Sequence, residues 1–144
     1  KFPPVLYAGT GTPPDLSLIT KARHGGAAYV YSLLTGYETQ PAELVKHFPD
    51  SKTPDGMFYN PYFANLNIAM NPPLTADGQV TYSDGTPATK DQMAKDVAAF
   101  LVWTAEPELA QRHQTGMWWI VFLLFATSLA YMSYRNIWAD KKGH

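Results

Sequence analysis

From Gln114 to Tyr134 the chain carries no charged residue, and within that stretch the run GMWWIVFLLFATSLAYMSY, Gly116 to Tyr134, is 19 residues long. At about 1.5 Å per residue such a helix spans about 28 Å, close to the ~30 Å hydrocarbon core of a bilayer, so the pattern predicts one transmembrane helix. Trp118 and Trp119 stand at one end and Tyr131, Tyr134 and Trp138 at the other, as aromatic belts do at two interfaces. The competing reading is the buried core helix of a soluble protein. It is disfavoured because 19 uncharged residues with cations beyond both ends are long for a domain this small. Ala126 and Ala130 form a small-x-x-x-small pair, a weak signal for a neighbouring helix.

Ahead of that run the apolar periodicity is shorter and repeatedly interrupted. The opening KFPPVLYAGTGTPPD reads as loop. Asp15 can cap a short helix over Leu16 to Arg23, with Leu18, Ile19 and Ala22 on one face and Gly25–Gly26 as its stop. In AAYVYSLLTG, Tyr29 and Leu33, and Val30 and Leu34, are four-residue neighbours of a second helix that stops at Gly36. Residues 37–88 carry Pro41, Pro49, Pro54, Pro61, Pro72, Pro73 and Pro87, which forbids long regular elements. Helical pattern returns at Thr89, where Thr89 and Gln92 make a capping box. Met93, Val97, Phe100 and Leu101 follow as its apolar face, and the helix stops before Pro107. The fold class is mainly α, with long Pro-rich loops and one C-terminal transmembrane helix.

Composition bears on this in two ways. Hydrophobic residues make up 46% of the 144, yet mean hydropathy is slightly negative, so the apolar character is concentrated at the end. The remainder has room for one modest domain. There is no cysteine, which removes disulfides, cysteine–zinc and iron–sulfur ligation, thiol catalysis and a C-x-x-C-H haem attachment within these residues. The chain opens at Lys1 without an initiator Met, as a processed or cut polypeptide does.

Residues 1–113 hold eight Lys/Arg and eleven Asp/Glu, net −3, whereas beyond Tyr134 Arg135, Lys141 and Lys142 face only Asp140, net +2. Within reach of the helix ends the N-terminal side offers Arg112 and the C-terminal side Arg135, Lys141 and Lys142. By the positive-inside rule the C-terminus is then expected in the cytoplasm or matrix and the N-terminal part outside. An acidic soluble part disfavours a nucleic-acid partner.

Candidate chemistry is sparse. In NPYFANLNIAMNPPL, Met70 is followed by Asn71 and two prolines, which stiffen the chain just beyond a thioether, as a loop holding a weak metal ligand requires. A thioether is a soft axial ligand, and Met/His ligation raises a haem's reduction potential. A Met in an aromatic loop is nonetheless more often core packing. Arg23 and His24 end the first short helix, where cations suit the dipole; the alternative for Arg23 is a charge-assisted bond to a buried carboxylate such as a haem propionate. His24, His47, His113 and His144 have no metal-ligand spacing, and Glu106 and Glu108 flank a proline as a solvated linker. No nucleophile–base grouping or phosphate loop is present, so no catalytic residue is assigned.

Taken together, PPDLSLITKARHGGAAYVYSLLTGY, YNPYFANLNIAMNPPL, YSDGTPATKDQMAKDVAAFLVWTAEPE and the following apolar helix resemble cytochrome c1, the haem subunit of the cytochrome bc1 complex, over nearly the whole chain. The resemblance implies the C-terminal part of a cytochrome c-type haem domain. It implies Met70 as the sixth, axial ligand of the haem iron and Arg23 as the propionate arginine, with Pro14, Tyr29, Leu33, Phe63, Ile68 and Pro73 lining haem c. The family's C-x-x-C-H, with its axial His, is then expected upstream of these residues. YAGTG replaces the family's usual Asn-rich approach to PPDL.

The function so implied is that of an electron-transfer subunit of quinol–cytochrome c oxidoreductase without an acid or base of its own. The Rieske iron–sulfur protein would be its donor, cytochrome c its acceptor and cytochrome b its membrane neighbour, in a dimeric complex of the inner membrane. The implied division is a periplasmic or intermembrane-space haem domain over residues 1–109, a linker over 110–115, a span over 116–134 and a cytoplasmic or matrix tail over 135–144. Two rivals remain: a haem-less tethered assembly subunit, and a tethered electron carrier outside any bc1 complex.

Overall fold

The computed structural model describes residues 12–139 and Lys141. Most of the opening loop, including YAGTG, lies outside the described residues, as do Asp140, Lys142 and His144. The chain divides into two compact units, Lys1–Ala105 and Glu106–His144.

The first unit is built on three helices. Helix α1 is Ile19–Ala22, shorter than the expected 16–23 because Asp15 spends its carboxylate on a local turn. Its Oδ1 accepts from both the backbone N and the hydroxyl of Ser17, so the chain turns once more before helical bonding begins. Gly25 and Gly26, at φ +83° and +49°, supply the left-handed backbone that stops α1 and opens α2, Gly26–Thr35. Helix α3, Ala42–His47, and a 3₁₀ turn over Pro49–Ser51 follow. Then come two two-residue strands, β1 (Phe58–Tyr59) and β2 (Asn67–Ile68), paired antiparallel with Phe58 opposite Ile68 and Tyr59 opposite Asn67. No element between residues 37 and 88 exceeds six residues, as the prolines require.

Helix α4 is Lys90–Ala105. The hydroxyl of Thr89 accepts from Gln92 N at 3.1 Å, which is half of the expected capping box. The other half is absent, because the Gln92 amide donates forward to Asp96 and Asp77 Oδ1 takes the Lys90 N–H. The buried face of α4 also differs from the expected one. Met93, Ala94, Ala98 and Leu101 are buried, whereas Val97 and Phe100 are exposed. The face is rotated because α2 packs Val30 against Ala98 and Leu101, and the small Ala98 side chain admits a close helix approach. Val30, Ala98 and Leu101 form the centre of this contact, with Ile19, Ala27, Tyr29, Tyr31 and Leu34 packed around it. Thr20 of α1 adds a bond from its hydroxyl to the Leu101 carbonyl.

In the second unit, Glu106 forms an ion pair with Arg112 at 2.7 Å, and one helix, α5, runs from Leu109 to Ala139. Residues 110–115, expected as a linker, are helical and continuous with the apolar run. Over its 31 residues α5 is long and apolar enough to cross a membrane, and none of its described residues is buried. Its C-terminal end carries a ladder of rings: Tyr131 stacks on Tyr134, Tyr134 meets Trp138, and Lys141 Nζ sits 5.3 Å over the Trp138 ring.

Candidate functional site

The segment around Met70 is fixed by hydrogen bonds to the C-terminal end of α2. Asn60, immediately after β1, has the largest fully buried side chain among the described residues. Its Nδ2 donates to the Leu33 carbonyl at 2.8 Å and its Oδ1 accepts from Tyr62 N at 3.1 Å. Its backbone closes the turn between the strands: Asn60 N donates to the Leu66 carbonyl, and Phe63 N donates to the Asn60 carbonyl. A buried amide costs stability unless its polar atoms are bonded, and here both Nδ2 and Oδ1 have a partner.

Two residues beyond β2, the carbonyl of Met70 accepts from the Tyr37 hydroxyl at 3.1 Å. The Tyr37 ring in turn meets Phe58 of β1 edge-on, at 6.4 Å between centroids. Beyond the two prolines, Gln79 Nε2 donates to the Pro73 carbonyl, while its Oε1 takes Thr75 N at 2.8 Å. The Met70–Pro73 stretch is therefore held on both sides, and the Met70 side chain remains exposed at 36%.

Of the residues the sequence singled out, Leu33, Met70 and Pro73 each have their carbonyl held by a side chain, Asn60, Tyr37 and Gln79 respectively, while Tyr29 lies one helical turn before Leu33. Ile68 is buried at 8% beneath the loop, and Tyr29, Leu33 and Phe63 are half-buried. Pro14 and Arg23 stand apart from this hydrogen-bonded group, both exposed. One Arg23 guanidinium nitrogen donates to the Ala22 carbonyl at 3.1 Å, the role of a cation at a helix C-terminus. The structure adds Tyr37, Asn60 and Gln79 to the site, beyond the residues that the motifs pointed to. Only Asn60 had a signal, as the Asn of an Asn-Pro turn dipeptide.

Among the described residues no three His, Asp or Glu side chains gather as a metal site. The displaced titrations belong to the helix contacts instead. The Lys95 ammonium and then the Tyr31 hydroxyl hold Asp91 below the usual carboxylate range, while the bond to Asp91 raises both Tyr31 and Lys95. Tyr82 is raised by its hydrogen bond to Asp96, and the Thr86 backbone N–H lowers Asp84.

A model of the family described as Cytochrome C1 family matches residues 5–141. "Cytochrome c1 2, heme protein, mitochondrial" of Arabidopsis thaliana is 49% identical over 90% of this chain and 39% of its own length. "Cytochrome c1" of Blastochloris viridis is 43% identical over 96% of this chain and 53% of its own. "Cytochrome b/c1" of Bradyrhizobium diazoefficiens is 42% identical over 92% of this chain and 21% of its own. The chain spans about half or less of the length of each of these relatives.

Proposed function

The chain belongs to the cytochrome c1 family, and from that premise we propose that it is the C-terminal part of the haem-carrying electron-transfer subunit of a quinol–cytochrome c oxidoreductase. Electrons would come from the Rieske iron–sulfur protein and leave to cytochrome c. The observation that carries this reading is the Met70 loop, in which an exposed thioether follows a buried Ile68 and the backbone is tied by Tyr37 at the Met70 carbonyl and by Gln79 at the Pro73 carbonyl.

The residues present fit one side of a haem. Met70 offers an uncharged soft donor suited to iron, and the half-buried Tyr29, Leu33 and Phe63 offer apolar surface. Arg23 donates one guanidinium N–H to a carbonyl and retains others for a propionate. Pro14 and Pro73 would complete the lining. Bound haem c supplies one-electron chemistry; the chain's part is to hold the thioether in place and keep water from that side. Because 1–144 contain no cysteine, the covalent attachment and the axial His are assigned to another segment of the full protein.

Residues 1–109 would form the C-terminal part of the haem domain, 110–115 its connection, 116–134 the membrane span and 135–144 the tail. Close to the span, Arg135, Lys141 and Lys142 follow it while Arg112 precedes it, which supports a cytoplasmic or matrix C-terminus, with the haem domain in the periplasm or intermembrane space. The joint name of the Bradyrhizobium protein supports cytochrome b as the membrane neighbour, and a dimeric complex follows by family analogy.

In the full-length protein, Met70→Leu replaces the thioether by a hydrocarbon of similar volume. The haem's midpoint potential should fall and reduction by ascorbate should weaken; an unchanged potential removes Met70 as the ligand. A reduced-minus-oxidised spectrum of the complex without a c-type alpha band would reject the haem function and favour a tethered assembly subunit.

A further inference from the structure

We infer that Tyr37 and Asn60 are positioning residues for Met70, and that together they make the C-terminal end of α2 the body against which the thioether is held. The inference rests on the reading of Met70 as an iron ligand. Three contacts converge on one turn of chain. The Leu33 carbonyl accepts from Asn60 Nδ2 at 2.8 Å, Gly36 leaves room for the Tyr62 ring, and the Tyr37 hydroxyl reaches the Met70 carbonyl at 3.1 Å. They act at different points of the loop. Asn60 fixes its first residue and Tyr62 its outward ring, while Tyr37 fixes the ligand residue itself.

The physical reason for such a device lies in the ligand. A thioether binds iron weakly and its side chain has three rotatable bonds, so the bond is kept only if the backbone offers the sulfur at one distance and does not drift. The pairing of β1 with β2 is only two residues long and cannot supply that rigidity. Pro72 and Pro73 stiffen the chain after Met70, but they donate no hydrogen bond that could tie it to a helix. Tyr37 and Asn60 supply those ties. The Tyr37 ring also meets Phe58 of β1 edge-on, which limits the positions its phenol can take.

The test uses the full-length, haem-loaded protein with imidazole as an external competitor for the Met70 position. Tyr37→Phe removes one hydroxyl and keeps the ring on Phe58; Asn60→Ala removes the amide. Both variants should keep the c-type alpha band and helical circular dichroism. Each should show a lower midpoint potential and a weaker far-red absorption of the methionine-ligated oxidised state. Imidazole should bind about two- to tenfold more tightly, the factor that one lost net hydrogen bond gives.

Tyr37→Phe with unchanged potential and unchanged imidazole affinity overturns the inference, and it decides alone if Asn60→Ala does not accumulate. Met70→Leu separates the two readings. If that variant shifts the potential and Tyr37→Phe does not, Met70 stands as ligand and the positioning role falls. If Met70→Leu itself changes nothing, the ligand reading falls first.

Discussion

At Gly36 the backbone has φ −90° and ψ 14°, a conformation open to any residue, yet a Cβ there would lie 2.4 Å from Cδ2 of the Tyr62 ring and 2.7 Å from the Ser32 carbonyl oxygen. Glycine is required at this position for space and not for torsional freedom. Neither neighbour can yield cheaply, because the ring follows Asn60 in a hydrogen-bonded turn and the carbonyl belongs to α2. Gly36→Ala should therefore cost about 1–3 kcal/mol, the usual penalty of an overpacked contact, seen as a lower denaturation midpoint. If Tyr62 is truncated in the same protein, most of that loss should return, since the methyl's closest neighbour has gone. An undiminished loss in the double variant would assign the strain to Ser32 instead. Leu66 shows the complementary case. It sits at φ 62°, in the left-handed region where a side chain is unfavourable, and it persists because its carbonyl accepts from Asn60 and its N–H donates to Phe63.

Helix α2 and helix α4 meet through small apolar side chains inside and through Tyr31, Asp91 and Lys95 at the rim, where Asp91 takes both the phenol and the ammonium. Asp91 is held below its ordinary value, so its contribution is present above about pH 4 and is lost as pH falls through the depressed value. Tyr31 and Lys95 are raised, so theirs is complete below about pH 10 and is lost as pH rises through the raised values. The part of thermal stability that comes from this three-residue contact should be constant between these limits and fall on both sides. In Asp91→Asn the acid fall should be shallower and the neutral plateau lower; coincident acid limbs in the two proteins would remove Asp91 from the helix contact. These exposed contacts lay beyond sequence reading, because Tyr31 and Asp91 are 60 residues apart. The existence of α2, α4 and α5 was legible, since each carries apolar spacing with a start or a stop. The facing side of α4 was not. Val97 and Phe100 are larger hydrophobes than Ala98, and only the approach of α2 shows that Ala98 fits better against it. The two-residue strands left no alternation to detect, and of the site, Met70 was legible from its prolines while its partners Tyr37 and Gln79 were not.

For the whole molecule, the division into two units assigns different physics to each. The unit ending at Ala105 has a small core of Val30, Tyr59, Ile68, Met93, Ala94, Ala98 and Leu101 among its buried hydrophobic residues, and relies on hydrogen bonds to fix its loops. The unit from Glu106 has a helix whose large apolar side chains are exposed along its length, from Met117 to Trp138. At 31 residues it is about 46 Å long, longer than the ~30 Å hydrocarbon core, so both ends can extend into the interfacial regions. Such a surface is stable in lipid and costly in water, where it would associate. Leu124 lies near the middle of the uncharged run and is 65% exposed. Leu124→Arg places a cation near the centre of the proposed span, at a cost of about 2.5–3.5 kcal/mol for insertion. A good part of the variant should then move from the carbonate-resistant membrane fraction to the extractable one, whereas Leu124→Phe should stay in the membrane. If Leu124→Arg resists extraction as fully as Leu124→Phe, α5 does not cross the hydrocarbon core as a lipid-facing helix, and the anchor must be sought elsewhere in the full-length protein.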